Sequence, residues 1–243
     1  MEQSLNLRVF DSAEKLIPAL AVELVSYMTQ VIDEKGEFSL ALSGGKTPKS
    51  LYCQLSESHL KAPWEKVNFY FGDERFVPPA NPASNFKMAN DSLFVPLGIK
   101  PQNIFRVPTE YNDPELAASG YERVLRAQFI EQRPHFDLVL LGMGSDGHTA
   151  SLFPGSAALN ESEKWVRVSE SPNEPKHRIT LTFPAINAAS RIIFLVTGKN
   201  KAGAFRCVKS ADAPTSACPA KGINPINGDL QWWVDRDAAS LVI

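Results

Sequence analysis

Short apolar runs of strand length, most of them closed by a glycine turn and followed by a helix-length segment, constrain this chain more than any other feature. Phe38–Leu42 ends in Ser43-Gly44-Gly45, Val67–Phe71 in Gly72-Asp73-Glu74-Arg75, Phe136–Leu141 in Gly142-Met143-Gly144, and Arg191–Val196 in Thr197-Gly198-Lys199. Arg178–Phe183 reads as a further strand, and Ser240–Ile243 as a short final one. Helical stretches are expected at about 46–57, 85–94, 113–131, 200–210 and 229–239. Ahead of them, Leu16, Ile17, Leu20, Leu24, Val25, Met28 and Val31 follow the i, i+3/i+4 rule, predicting an amphipathic helix over Ser12–Val31. Asp11-Ser12 offers its N-cap and Gly36 its stop. Strands alternating with helices predict an α/β, Rossmann-like fold, a mostly parallel twisted sheet with helices on both faces, in one domain over residues 1–243. Near-continuous apolar strands agree, because such strands are buried on both sides.

Charge and cysteine usage narrow the partners. Lys and Arg number 25 against 27 Asp and Glu, a net charge of −2, so the basic excess that accompanies phosphate-backbone binding is missing and no nucleic-acid partner is expected. No uninterrupted apolar run approaches the roughly 20 residues of a membrane span. Glu2 among alternating polar and apolar neighbours shows no secretory signal, so no membrane partner and a cytoplasmic location are expected. Cys53, Cys207 and Cys218 form no C-x-x-C pair and, beside four histidines, fit no zinc spacing. Reduced thiols and no metal are expected.

In open α/β sheets, ligands bind beyond the carboxyl ends of the strands. Ser43-Gly44-Gly45-Lys46-Thr47-Pro48 is a strand end, a glycine turn and a helix start, in which backbone N–H groups and the Ser43 and Thr47 hydroxyls can face an anion. A helix N-terminus contributes only about 0.3–1 kcal/mol toward an anion, so cationic side chains must join it. Gly45-Lys46-Thr47 is not a Walker A loop, because position 40, where that pattern needs glycine, is Leu40. Gly142-Met143-Gly144-Ser145-Asp146-Gly147 matches G-x-G-x-x-G formally. Phe153-Pro154-Gly155 leaves no long helix behind it, however, and Asp146 would oppose a pyrophosphate, so no nicotinamide cofactor is expected.

His148 follows Asp146 by two residues in a glycine-flanked loop. A carboxylate on one ring nitrogen fixes the tautomer and leaves the other to accept a proton. A Ser-His-Asp hydrolase would need a G-x-S-x-G elbow, which is missing.

Three blocks together, Leu42–Pro48, Asp73-Glu74-Arg75-Phe76-Val77 with Ser84-Asn85, and Leu141–Gly155, resemble the signatures of the 6-phosphogluconolactonase family. Arg178–Thr182 with Ile186-Asn187, Gly198-Lys199-Asn200-Lys201, and Gly228–Asp235 with Ala238-Ala239 continue the likeness in order over about residues 10–243. The wider relatives are glucosamine-6-phosphate isomerases/deaminases of the same α/β architecture. The resemblance implies hydrolysis of 6-phospho-D-glucono-1,5-lactone to 6-phosphogluconate in the oxidative pentose phosphate pathway, with a small-molecule substrate and no cofactor. It places phosphate on Ser43, Gly44, Gly45 and Thr47, with positive charge from Arg178 and Lys201 and with Lys199 as a further candidate. It makes His148 the general base and Asp146 its orienting carboxylate. Arg75 stabilises the oxyanion or binds phosphate or sugar hydroxyls, and Asp73 and Glu74 support the loop. Two alternatives stay open, an amino-sugar-phosphate isomerase/deaminase and a non-catalytic sugar-phosphate sensor. The first shows Asn-Glu-Pro shortly after the histidine, where this chain has Leu152-Phe153-Pro154-Gly155; the second carries a helix-turn-helix domain, for which no room is expected before Ser12.

Overall fold

The computed structural model describes residues 6–58, 60–129 and 134–243. Glu2, His59 and the end of the helix expected to reach 131 lie outside the described residues. Nine strands are present there: β1 (Asn6–Phe10), β2 (Phe38–Leu42), β3 (Val67–Phe71), β4 (Asp73–Arg75), β5 (Leu138–Leu141), β6 (Val166–Glu170), β7 (His177–Leu181), β8 (Arg191–Val196) and β9 (Asp229–Asp235). The α-helices are α1 (Ala13–Lys35), α2 (Lys46–Glu57), α3 (Asn85–Ala89), α4 (Val95–Leu97), α5 (Pro114–Gln128), α6 (Phe183–Ile186), α7 (Ala202–Lys209) and α8 (Arg236–Ala239). A π-turn over Asn90–Phe94 joins α3 to α4.

Six strands pair in the order β1-β9-β8-β5-β2-β3, every pair parallel, and helices flank this sheet. The central strands β2 and β5 are buried throughout, as their unbroken apolar sequences require. The chain runs outward from β2 to β3, then returns to β5 on the other side of β2. The crevice beyond the carboxyl ends of β2 and β5 is therefore the topological switch point, where such sheets bind ligands. The α1 helix is long and apolar enough to cross a membrane by length and composition alone. Its stripe of Leu16, Leu20, Leu24 and Met28 is fully buried in the core, and Gly36 ends it at φ +90°, donating its N–H to Ile32 O.

Four expectations need correction. Residues 229–235 form a strand, and only Arg236–Ala239 is helical. A strand sends adjacent side chains to opposite faces, and both tryptophans use this. Trp232 stacks on Phe194 at 3.9 Å between ring centroids, and Trp233 stacks on Phe10 at 5.3 Å. A helix would turn both rings within about 100° of each other and bury one face only. The second correction is β1, an edge strand with mixed exposure that was not expected. Third, Ser240–Ile243 is not a strand; Leu241 and Ile243 are exposed. Fourth, Asp73–Arg75 is itself a strand. It pairs antiparallel with β7, and β7 with β6, in a separate three-stranded sheet of order β4-β7-β6.

Candidate active site

The loop after β2 is held from below. Tyr52 on α2 accepts the Ser43 main-chain N–H at 3.0 Å and donates its own hydroxyl to Ser43 O at 2.8 Å. Full burial pushes the Tyr52 phenol well above its ordinary pKa, so it remains a neutral clamp. Gly45 sits at φ +106° immediately before α2, a conformation that favours glycine, and turns the chain so that the first N–H groups of α2 face outward. Thr47 Oγ1 lies 2.8 Å from Thr197 Oγ1, which ties the start of α2 to the end of β8. Gly142, at the end of β5, brings the two strand ends together: a Cβ there would lie 3.7 Å from Ser43 Oγ.

The histidine loop folds tightly on itself. Gly144 N–H donates to His148 O at 2.8 Å, and Thr149 Oγ1 donates to Gly142 O at 2.8 Å. His148 Nδ1 lies 2.6 Å from Asp146 Oδ1, and the same carboxylate oxygen accepts the His148 main-chain N–H at 3.2 Å. Burial opposes ionisation of Asp146, but the hydrogen bond and charge of His148 outweigh it and hold the carboxyl below its usual range. An ionised Asp146 accepts from Nδ1–H, so the Nε2 lone pair is left to take a proton. The ring packs against Phe153 at 4.6 Å between centroids.

Three cationic groups share the lining with these loops. Arg75 and Arg178 face each other across the β4–β7 pair. Arg178 is buried and donates to Ser171 Oγ at 3.3 Å, while Arg75 donates to Ala83 O at 2.6 Å. The Nε atoms of both are buried without a protein partner. Burial first, and the neighbouring Arg75 charge second, push Arg178 below its ordinary pKa. Burial likewise lowers Lys201, with the Asp146 charge opposing it. Asp73 and Glu74 are the nearest opposite charges to Arg178, and Asp146 the nearest to Lys201.

A cavity of about 590 Å³ joins these parts. Ser43, Gly44, Gly45, Thr47, His148, Asp73, Arg75, Arg178 and Lys201 all line it, as do Asn85 and Ser151. Asp146 stands behind the imidazole, and Glu74 is buried behind β4. Lys199 is exposed and lies outside the lining, whereas Asn200 is part of it. The sequence reading missed Lys46, Thr197 and Asn200, all within or beside the quoted motifs, and also Ser171 and Asn173. The last two come from the β6–β7 connection, which carries no motif. His177 and His135 are exposed; His135 Nε2 lies 2.9 Å from Ser190 Oγ. Among the described residues, no three His, Cys, Asp or Glu side chains converge as a metal site requires.

A glycine turn opening a helix and a carboxylate-oriented imidazole share one crevice at the carboxyl edge of a parallel sheet, the place where α/β proteins of this class bind small ligands. The chain belongs to the family of glucosamine-6-phosphate isomerases/6-phosphogluconolactonases, whose family model matches residues 11–232. It is 40% identical over 220 residues to a 6-phosphogluconolactonase of Nostoc sp., covering 89% of this chain and 90% of that protein. It is 40% identical over 226 residues to the 6-phosphogluconolactonase of Synechocystis sp., covering 92% of each. The solved structure of 6-phosphogluconolactonase from Trypanosoma cruzi superposes with a TM-score of 0.88 at 31% identity, covering 100% of this chain and 98% of that one.

Proposed function

We propose that this protein hydrolyses 6-phospho-D-glucono-1,5-lactone to 6-phospho-D-gluconate, a step of the oxidative pentose phosphate pathway, as a single-domain cytoplasmic enzyme. The observation that carries the reading is the Asp146–His148 pair at 2.6 Å, in the same cavity as the Ser43–Thr47 cradle. The phosphate dianion sits on the cradle's N–H and hydroxyl donors, with Arg178 and Lys201 balancing its charge. The lactone head then reaches His148. Nε2 takes a proton from water as its oxygen bonds to C1. The imidazolium, stabilised by Asp146, returns the proton to the ring oxygen when the tetrahedral adduct collapses and the C1–O bond breaks. General-base assistance of this kind is worth about 10²–10⁴-fold, roughly 3–5 kcal/mol of barrier. Arg75 faces the same space and neutralises the developing oxyanion. Asp73 and Glu74 hold the loop rather than meet the dianion. The unpaired thiols of Cys53, Cys207 and Cys218 fit a reducing compartment.

The isomerase/deaminase alternative needs a carboxylate beside the histidine for ring opening. Phe153 packs on the imidazole instead, in a stretch without an acid, which favours hydrolysis. The test is acid release from freshly generated lactone after subtraction of the spontaneous rate. Wild type should exceed the blank by orders of magnitude, and His148→Ala should lose about 10²–10⁴-fold of that excess. Equal corrected rates would remove His148 from the mechanism. Ammonia release from glucosamine 6-phosphate would reassign the activity, and ligand capture with no acid released would indicate a sensor.

A further inference from the structure

The cradle and the imidazole hang from different strands, yet one buried carboxylate touches the supports of both. Asp73 Oδ2 accepts the Ser151 hydroxyl at 2.6 Å, three residues beyond His148. Asp73 Oδ1 accepts from Asn85 Nδ2 at 3.1 Å, and the same amide donates to Asp73 O at 2.9 Å. Asn85 is itself fixed. Glu74, only 2% exposed, accepts the N–H groups of Asn85 and Phe86 at 2.7 and 2.8 Å and the Ser84 hydroxyl at 3.0 Å, so it caps α3. The remaining amide atom, Asn85 Oδ1, is buried with no conventional donor. It lies against the cradle: a Cβ on Gly44 would come within 2.1 Å of it.

We propose that Asn85 and Ser151 are positioning residues, which through Asp73 hold the Ser43–Thr47 cradle and the His148 loop at one fixed separation. Phosphate capture then sets the distance from imidazole to lactone carbonyl, and binding energy from the remote phosphate is expressed in kcat. An error of about 1 Å in such a separation costs on the order of 10²-fold in rate. The inference rests on the hydrolase reading above.

Kinetics of wild type, Ser151→Ala, Asn85→Ala and the double variant on 6-phosphogluconolactone, with calorimetric titration of inorganic phosphate, test it. Ser151→Ala should lower kcat about 10–100-fold while KM and phosphate affinity stay within about threefold. Asn85→Ala should lower kcat and also weaken phosphate, because Gly44 loses its support. The double variant should have a kcat no lower than the worse single, since both break one chain of contacts. If Ser151→Ala fails to fold, Ser151→Cys, with a weaker donor of similar size, is read in its place, with about a 3–10-fold loss of kcat expected. Wild-type activity with unchanged kcat in the Ser151 variant, or kcat losses that multiply in the double variant, overturns the coupling alone. An inactive wild type overturns the hydrolase reading and the coupling with it.

Discussion

The imidazole of His148 occupies the space that a side chain at position 144 would fill. A Cβ on Gly144 would lie 2.1 Å from His148 Nδ1 and 2.4 Å from Asp146 Oδ1, far inside contact distance. The glycine here serves close approach rather than an unusual φ. Gly144→Ala should therefore expel the ring from its carboxylate, reducing kcat by about 10²-fold or more. Its stability cost should stay in the overpacking range of about 1–3 kcal/mol. Steady-state kinetics and thermal melting of the one variant check both parts. A fully active Gly144→Ala enzyme would show that the pair is not held by this contact.

Asp146→Asn separates orientation from charge. An amide presents either its oxygen or its N–H₂ to Nδ1, and the second choice places the ring proton on Nε2, the atom required as base. The expected loss in kcat is about 10²–10⁴-fold with KM nearly unchanged. Because the folded-state pKa of Asp146 is depressed, its contribution to stability is present above the unfolded value near 3.8 and disappears as pH falls through the lower folded value. The melting difference between wild type and Asp146→Asn should accordingly shrink as the pH falls below about 4.

Local signals were sufficient wherever one segment decides its own structure. The α2 boundaries 46–57 and the β8 boundaries 191–196 follow directly from a glycine turn and an unbroken apolar run. The cradle and the histidine loop were legible for the same reason, each being a contiguous stretch behind a strand. Segments decided by distant partners were not legible. Leu230–Val234 looks helical until Phe10 and Phe194 are placed on opposite sides of it. Asp73–Arg75 is too polar to announce a strand, and its pairing partner Arg178–Thr180 lies about a hundred residues away. Ser171 and Asn173 reach the cavity only because that unanticipated second sheet carries them there.

Removing the Tyr52 hydroxyl tests how the cradle is supported. Tyr52→Phe leaves both the N–H and the carbonyl of Ser43 without their buried partner. Stranding such groups costs about 1–3 kcal/mol, so melting should drop by several degrees. Ser43 is then free to shift, and phosphate affinity should fall several-fold while the acid-release step at saturating substrate changes less. An unchanged KM would mean that α2 fixes the cradle without its tyrosine.

Lys201 supplies a pH test of the proposed phosphate site. Burial pushes its pKa below the ordinary lysine value, with Asp146 nearby opposing the shift. The bare protein therefore loses this charge at a lower pH than a surface lysine would. For a lysine depressed on folding, charge burial costs stability at neutral pH, and that cost is relieved as pH rises through the folded pKa toward the unfolded one. Bound phosphate reverses the sign locally by stabilising the ammonium, so binding should take up protons on the alkaline side. Titration of inorganic phosphate from pH 7 to 10 should show affinity falling before the ordinary lysine range near 10.4 is reached. Lys201→Met should weaken phosphate about tenfold at pH 7 and remove most of that alkaline decline, while Lys199→Met, altering an exposed side chain outside the cavity, should leave both unchanged.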